Sequence, residues 1–200
     1  ISLGSNIERE ANTRAGVAAL RAHYGELTLS SVYESEAVGF AGGSFYNMVI
    51  ALDTEEAPET VVQVLKDMET RYGREHGSRK FASRTLDLDM LLYDGLVMQA
   101  SGVQVPRDEI LKHAFVLWPL AEVAPDLKHP LQQKTYAELW DAFDKSKQQL
   151  KPIAFEFCFF AEISSCFENP FFALRASYFL CLQAKEVTRQ QAKKAPSKTD

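Results

Sequence analysis

The chain has 200 residues and a mass of 22.5 kDa, enough for one domain with a hydrophobic core, alone or with an appendage. Its net charge of −5 and pI near 5.5 argue against a broad basic surface for nucleic acid. No apolar run reaches the roughly 18 residues of a membrane-spanning helix, and 3 Cys do not suggest a disulfide framework. We therefore expect a cytoplasmic protein with neither nucleic-acid nor membrane partners.

The composition changes near residue 154. All of the Cys and most of the Phe residues follow it, and a polar tail covers 188–200. We expect a domain over 1–154 and an extension over 155–200. The extension could be an extra packing element, an association surface, an aggregation-prone segment or a poorly ordered tail. Ile1 already falls in a predicted strand, so a few residues are expected to precede it.

The elements of the domain alternate along the chain. Hydrophobic periodicity and turn residues predict strands at 1–3, 27–33, 45–53 and 85–93, helices at 11–24 and 58–72, a loop at 34–44 and a last helix near 136–143. The order β-α-β-β-α-β is the ferredoxin-like pattern of an α+β protein. Two helices would cover one face of a mainly antiparallel sheet and leave the other face open.

Two carboxylates alternate with leucines in the last predicted strand. Asp87 and Asp89 would share one face, with Cα atoms about 7 Å apart. Two neighbouring carboxylates repel each other and need water or a cation. Oxygen ligands without nitrogen or sulfur favour Mg²⁺ over Zn²⁺. The alternative is an ordinary solvated face of a half-buried strand.

The strand at 45–53 predicts a second part of the same surface. Its bulkier apolar side chains should face the helices, which leaves Phe45 and Asn47 on the face of the paired carboxylates. An aromatic ring beside an amide suits a planar, hydrogen-bonding heterocycle. Taken alone, Phe45 is more simply explained as an ordinary aromatic residue of a strand.

A basic loop precedes the carboxylate strand and contains Arg74, Arg79, Lys80 and Arg84. Guanidinium groups bind phosphate oxygens well, although a charged loop can also be merely solvated. The sequence has no P-loop and no kinase catalytic loop. Phosphate would therefore be held by a metal and arginines.

These residues resemble the signature of the 6-hydroxymethyl-7,8-dihydropterin pyrophosphokinase family. The resemblance rests on the run Lys-Phe-Ala-Ser-Arg-Thr-Leu-Asp-Leu-Asp-Met-Leu at 80–91. Supporting segments are Leu-Gly-Ser-Asn at 3–6, Phe-Tyr-Asn at 45–47, Glu69 with Gly73-Arg74, Phe-Val-Leu-Trp-Pro-Leu at 115–120, and Ala124-Pro125. Together they cover roughly residues 1–145 in the family's order.

The resemblance implies a ferredoxin-like fold and a transfer of diphosphate from ATP to 6-hydroxymethyl-7,8-dihydropterin, which leaves AMP. It also implies two Mg²⁺ ions on Asp87 and Asp89. The implied catalytic residues are Arg74, Arg84, Asp87 and Asp89; the implied pterin-binding residues are Ser35, Val38, Gly39, Phe45, Asn47 and Phe115; the implied ATP-binding residues are Glu69, Arg74, Lys80, Arg84, Met90 and Arg107.

The chain departs from the family pattern at several positions. Arg107 follows Val105-Pro106 where many members have His, and His113 stands where the family often has Arg. The substitutions in the basic loop and the unusual C-terminal extension leave open a catalytically weak paralogue that binds pterin or nucleotide. Another alternative is a single-stranded RNA binder, which the acidic charge disfavours. We expect small-molecule substrates and a monomer or weak homodimer.

Overall fold

An antiparallel sheet of six strands forms the centre of the fold. The structure is a computed structural model that describes residues 1–38, 42–73 and 84–157. The sheet strands are β1 (Ser2–Ser5), β2 (Thr28–Leu29), β3 (Val32–Ser35), β4 (Phe45–Ala51), β5 (Asp87–Asp89) and β8 (Leu150–Ile153). The remaining elements are a hairpin of β6 (Met98–Ala100) and β7 (Val103–Val105), and the helices α1 (Arg9–Tyr24), α2 (Pro58–Arg71), α3 (Glu109–Lys112), α4 (Ala114–Val123) and α5 (Tyr136–Asp141).

The strand order is β5-β1-β4-β3-β8, and β2 pairs with the far end of β4. Every pairing is antiparallel. The protein is thus a mixed α+β structure with an antiparallel sheet. None of the helices in the described ranges is long and apolar enough to cross a membrane.

Helices α1 and α2 pack on one face of the sheet, as the sequence predicts. Leu3 of β1 and Leu88 of β5 point into this layer and are buried. Helix α1 approaches the sheet closely at Gly16, where a Cβ atom would lie 2.8 Å from Leu86 and 2.9 Å from Leu3. A small residue is required where the helix crosses these two leucines.

The opposite face is not open, which corrects the sequence prediction. Helix α4 covers one end of it, where Leu117 and Leu120 join Val49 of β4 in a buried cluster. The sequence did not predict α4 because the helix is apolar on nearly all sides and contains Pro119, so the usual amphipathic periodicity is absent. Within the described ranges, α4 leaves the other end of this face for a binding site.

Several predicted strands also change. The strand at 27–33 divides at Ser30, whose hydroxyl accepts a hydrogen bond from the Val49 N–H at 2.9 Å. The strand at 85–93 shortens to Asp87–Asp89, and the sequence did not predict β8, which pairs with β3 at the sheet edge. The last helix is confirmed as α5, which begins with a capping box between Thr135 and Glu138.

Residues Ile1–Glu156 form one compact unit. Phe155, the first residue of the predicted extension, packs edge-on against Tyr46. The division of the chain at residue 154 and the character of the extension remain predictions, because nearly all of that segment lies outside the described residues.

Candidate active site

The candidate site centres on Gly4 in the middle of the sheet. Gly4 pairs with Asn47 of β4 on one side and with Asp87 of β5 on the other, so all three residues present the same face. A Cβ atom on Gly4 would lie 3.4 Å from Asn47 Oδ1, and 3.9 Å from both Asp87 Cβ and Phe45 Cδ1. The predicted common face of Phe45, Asn47 and Asp87 is confirmed, and Gly4 forms its floor.

Each carboxylate of the pair lies beside an arginine. Arg84 Nε lies 3.8 Å from Asp87 Oδ1, and Arg107 Nη2 lies 3.1 Å from Asp89 Oδ1. The Arg107 Nε also lies 3.3 Å from Glu109 Oε2, as an ion pair. The side chains of Asp87 and Asp89 remain 36% and 42% exposed, so both carboxylates are accessible from solvent.

The Leu-Gly-Ser-Asn segment holds the chain that leads into β5. The Ser5 hydroxyl donates to the Thr85 carbonyl at 2.6 Å, and Asn6 Oδ1 accepts from the Arg84 N–H at 2.6 Å. The backbone N–H of Asn6 donates to the Arg84 carbonyl at 3.0 Å. These bonds fix the backbone of Arg84 and the start of the carboxylate strand relative to β1.

A buried carboxylate supports β5 from its outer edge. Glu69, near the end of α2, is 3% exposed, and its Oε1 accepts from the Leu88 N–H at 2.9 Å. Backbone N–H groups alternate in direction along an antiparallel strand. The Leu88 N–H therefore points away from β1 and donates to the Glu69 carboxylate. Glu69 thus holds β5 at the residue between the two site aspartates.

The Asn47 side chain is held by Ser35. Asn47 Nδ2 donates to Ser35 Oγ at 2.9 Å, and both residues are buried. This bond uses the amide nitrogen, so the oxygen of Asn47 faces Gly4 and the site. The site therefore presents a fixed hydrogen-bond acceptor beside the ring of Phe45.

Phe115 lies in the first turn of α4, on the same side of the sheet. Trp118 packs on Tyr33 with ring centroids 4.7 Å apart, and Glu122 accepts from the Ser31 hydroxyl at 2.8 Å. Since Trp118 lies at Tyr33 and Glu122 at Ser31, helix α4 runs antiparallel to β3. One turn of the helix covers about the same length as two residues of the strand. One further turn brings Phe115 to the end of the sheet where β3 pairs with Phe45.

The other site predictions fall in different places. Val38 is 41% exposed, and Met90, directly after β5, is buried. Gly39, Arg74 and Lys80 lie outside the described residues. Gly4 lies in the Leu-Gly-Ser-Asn segment, but the sequence did not predict a role for it in the site. A glycine inside a predicted strand indicates that another group approaches the strand closely.

The family model described as 7,8-dihydro-6-hydroxymethylpterin-pyrophosphokinase matches residues 1–125. Three relatives carry the name 2-amino-4-hydroxy-6-hydroxymethyldihydropteridine pyrophosphokinase. The Aquifex aeolicus protein is 34% identical over 62% of this chain and 74% of its own length. The Pseudomonas aeruginosa protein is 39% identical over 52% of this chain and 64% of its own length. The Bacillus subtilis protein is 33% identical over 64% of this chain and 78% of its own length.

The residues matched by the family model include Gly4, both aspartates and the first turn of α4 with Phe115. The chain belongs to the 7,8-dihydro-6-hydroxymethylpterin-pyrophosphokinase family.

Proposed function

We propose that the face around Gly4 is the active site of a pyrophosphokinase. As a member of its family, this chain is a transferase that moves diphosphate from ATP to hydroxymethyldihydropterin in folate biosynthesis. The observation that carries the site assignment is the convergence of Asn47, Phe45 and Asp87 over Gly4. Aromatic surface, a fixed amide and accessible carboxylates are the groups that a planar heterocycle and a polyphosphate need.

The pterin binds between Phe45 and Phe115 in this proposal. Both residues lie at the same end of the sheet face, and aromatic rings stack favourably on planar heterocycles. The Asn47 oxygen, oriented by Ser35, accepts a hydrogen bond from an N–H of the pterin edge. We also propose that Val38 and Gly39, which follow β3 in the sequence, contact the pterin.

The polyphosphate of ATP binds along β5 and its arginines. Asp87 and Asp89 are the groups that would hold Mg²⁺, and we propose two ions. No group of three or more metal-ligating side chains occurs in the described part of the chain. This fits Mg²⁺, which takes one or two carboxylates and completes its shell with water and substrate phosphates. The bound metal would neutralise phosphate charge.

The chain's own residues position the reactants and balance charge. The hydroxymethyl oxygen attacks the β-phosphorus of ATP and gives up its proton to solvent. The bond from that phosphorus to the oxygen that bridges it to the α-phosphorus breaks, and AMP leaves with that oxygen. Arg84 and Arg107 are held beside the two carboxylates and are therefore placed to bind phosphate oxygens as charge develops. Arg74 and Lys80 are proposed to bind the phosphates. Met90 and Glu69 are proposed to contribute to the nucleotide side of the site, Glu69 by supporting β5.

We also infer a ferredoxin-like fold. The strands β1, β3, β4 and β5 with helices α1 and α2 follow the order β-α-β-β-α-β, and the spatial order β5-β1-β4-β3 agrees with that topology. Strand β8 then extends the sheet at the β3 edge.

The test is AMP formation from ATP, Mg²⁺ and 6-hydroxymethyl-7,8-dihydropterin. The wild-type chain should release AMP only when the pterin is present. The double variant Asp87→Asn and Asp89→Asn should lose the activity by a factor of at least about 10³, since each change removes several kcal/mol of charge stabilisation. Asp126→Asn, at an exposed position, is the matched control. Activity retained in the double variant would refute the metal assignment. Calorimetric binding of ATP without AMP formation would favour a weak paralogue, which the comparisons do not favour.

A further inference from the structure

A glutamine far from α4 in sequence completes the start of that helix. His113 is the N-cap residue of α4, but its side chain makes no capping hydrogen bond. The first helical N–H, that of Ala114, donates instead to Gln148 Oε1 at 2.7 Å. Gln148 comes from the segment before β8 and so supplies from outside the acceptor that helix N-termini need.

This bond also fixes which way the amide of Gln148 points. A backbone N–H can only donate, so it must face the amide oxygen. The amide nitrogen then faces His113 Nδ1, at 3.0 Å. Nδ1 must accept this bond, which makes His113 a neutral imidazole with its hydrogen on Nε2. Burial lowers the pKa of His113, which favours the same neutral form.

His113 in turn fixes the ring of Phe115. The two rings are stacked, with centroids 4.8 Å apart and planes 13° apart. His113 therefore occupies one face of Phe115, so a planar ligand that stacks on Phe115 would have to use the other face. Leu150, two residues after Gln148, pairs with Ser35, which places Gln148 at the Phe45 end of the sheet.

We propose that Gln148 is a positioning residue for pterin binding, which acts by holding the His113–Phe115 stack against the first turn of α4. This inference rests on the proposed function, because it takes Phe115 as one side of the pterin sandwich. It assigns to His113 a role in packing the pterin side of the site. It also gives the segment before β8 a part in substrate recognition.

The test separates pterin affinity from the chemical step. In Gln148→Met, which keeps the length of the side chain and removes both hydrogen bonds, the KM for the dihydropterin should rise about tenfold, the equivalent of about 1.4 kcal/mol. The KM for ATP and kcat should change by less than about twofold, because uniform binding affects KM alone. Gln149→Met, at the neighbouring exposed position, is the matched control and should match the wild type.

A second variant keeps the test decisive if Gln148→Met does not fold. Gln148→Glu retains the acceptor for the Ala114 N–H but faces neutral His113 with a carboxylate. The KM for the pterin should be raised at pH 8.5 and should recover towards pH 6, where a protonated His113 can donate to the carboxylate. Glu109 and Lys112 of α3 also act on His113, with opposite signs, and are the same in both proteins. A difference between the two proteins in the pH dependence of the pterin KM therefore reports on the side chain at position 148.

The outcomes are distinguishable. No AMP from the wild-type chain overturns the proposed function and this inference with it. AMP from the wild type, with an unchanged pterin KM in Gln148→Met or no pH-dependent recovery in Gln148→Glu, overturns this inference alone. A double-mutant cycle with His113→Phe provides a further check: additive effects on the pterin KM would show that Gln148 does not act through His113.

Discussion

Replacement of Glu69 tests how β5 is held in place. Its carboxylate is buried and bonds the Leu88 N–H between the two site aspartates. Glu69→Leu removes a hydrogen bond to a charged group and leaves a buried N–H without this partner, which together should lower the free energy of unfolding by about 3 kcal/mol. Glu69→Gln keeps an oxygen acceptor and should cost only about 1 kcal/mol.

The two variants should also differ in activity. Loss of the edge support lets β5 shift, and a displacement of its carboxylates by a fraction of an ångström should lower kcat about tenfold in Glu69→Leu. The KM for ATP should stay nearly constant, because the buried carboxylate acts through the strand. Glu69→Gln should keep kcat within about threefold of wild type, since it still accepts the Leu88 bond.

The assays are thermal unfolding and AMP release well below the unfolding temperature. For a domain of this size, the Leu variant should unfold roughly 6–12 °C below wild type. Glu59→Gln, on the exposed side of the same helix, is the control. Wild-type stability in Glu69→Leu would refute the structural role. A raised KM for ATP in Glu69→Gln, with stability unchanged, would show direct contact with the nucleotide.

Three further predictions follow from close packing and burial. Gly16→Ala should lower the free energy of unfolding by about 1–3 kcal/mol in urea titrations, because overcrowding in the core outweighs the gain in helix propensity; equal or higher stability would contradict the close approach. Gly4→Ala should change stability by less than about 1 kcal/mol but raise the pterin KM, whereas Gly95→Ala, where a Cβ atom meets nothing within 4 Å, should change neither. His129 is buried, and burial lowers its pKa from the ordinary value of 6.5. As the pH falls, His129 therefore becomes protonated in the unfolded chain before it does so in the folded one. The free energy of unfolding should decrease as the pH drops below about 6.5. In urea titrations at pH 7.5 and 5.5, His129→Asn should show a smaller loss than wild type, and an equal loss would exclude His129 as its source.

The sequence predicted the shared strand face of the candidate site better than it predicted the elements around that face. Alternation along two strands placed Asp87, Phe45 and Asn47 on one face, because side chains of a strand point to opposite sides in turn. This periodicity is local and depends on few residues. Helix α4 escaped prediction because a helix that is apolar on most sides shows no such pattern.

The sequence by itself was enough to predict the paired carboxylates, the strand that carries Phe45 and Asn47, and the family. Each of these depends on residues that are close together in the chain. Only the tertiary structure decided that Gly4 forms the floor between them, that Glu69 supports the carboxylate strand, and that Gln148 reaches the start of α4. These contacts join residues far apart in the chain. Hydrogen bonds of that kind depend on the register between strands and on the direction of a helix, and no local pattern of residues records either.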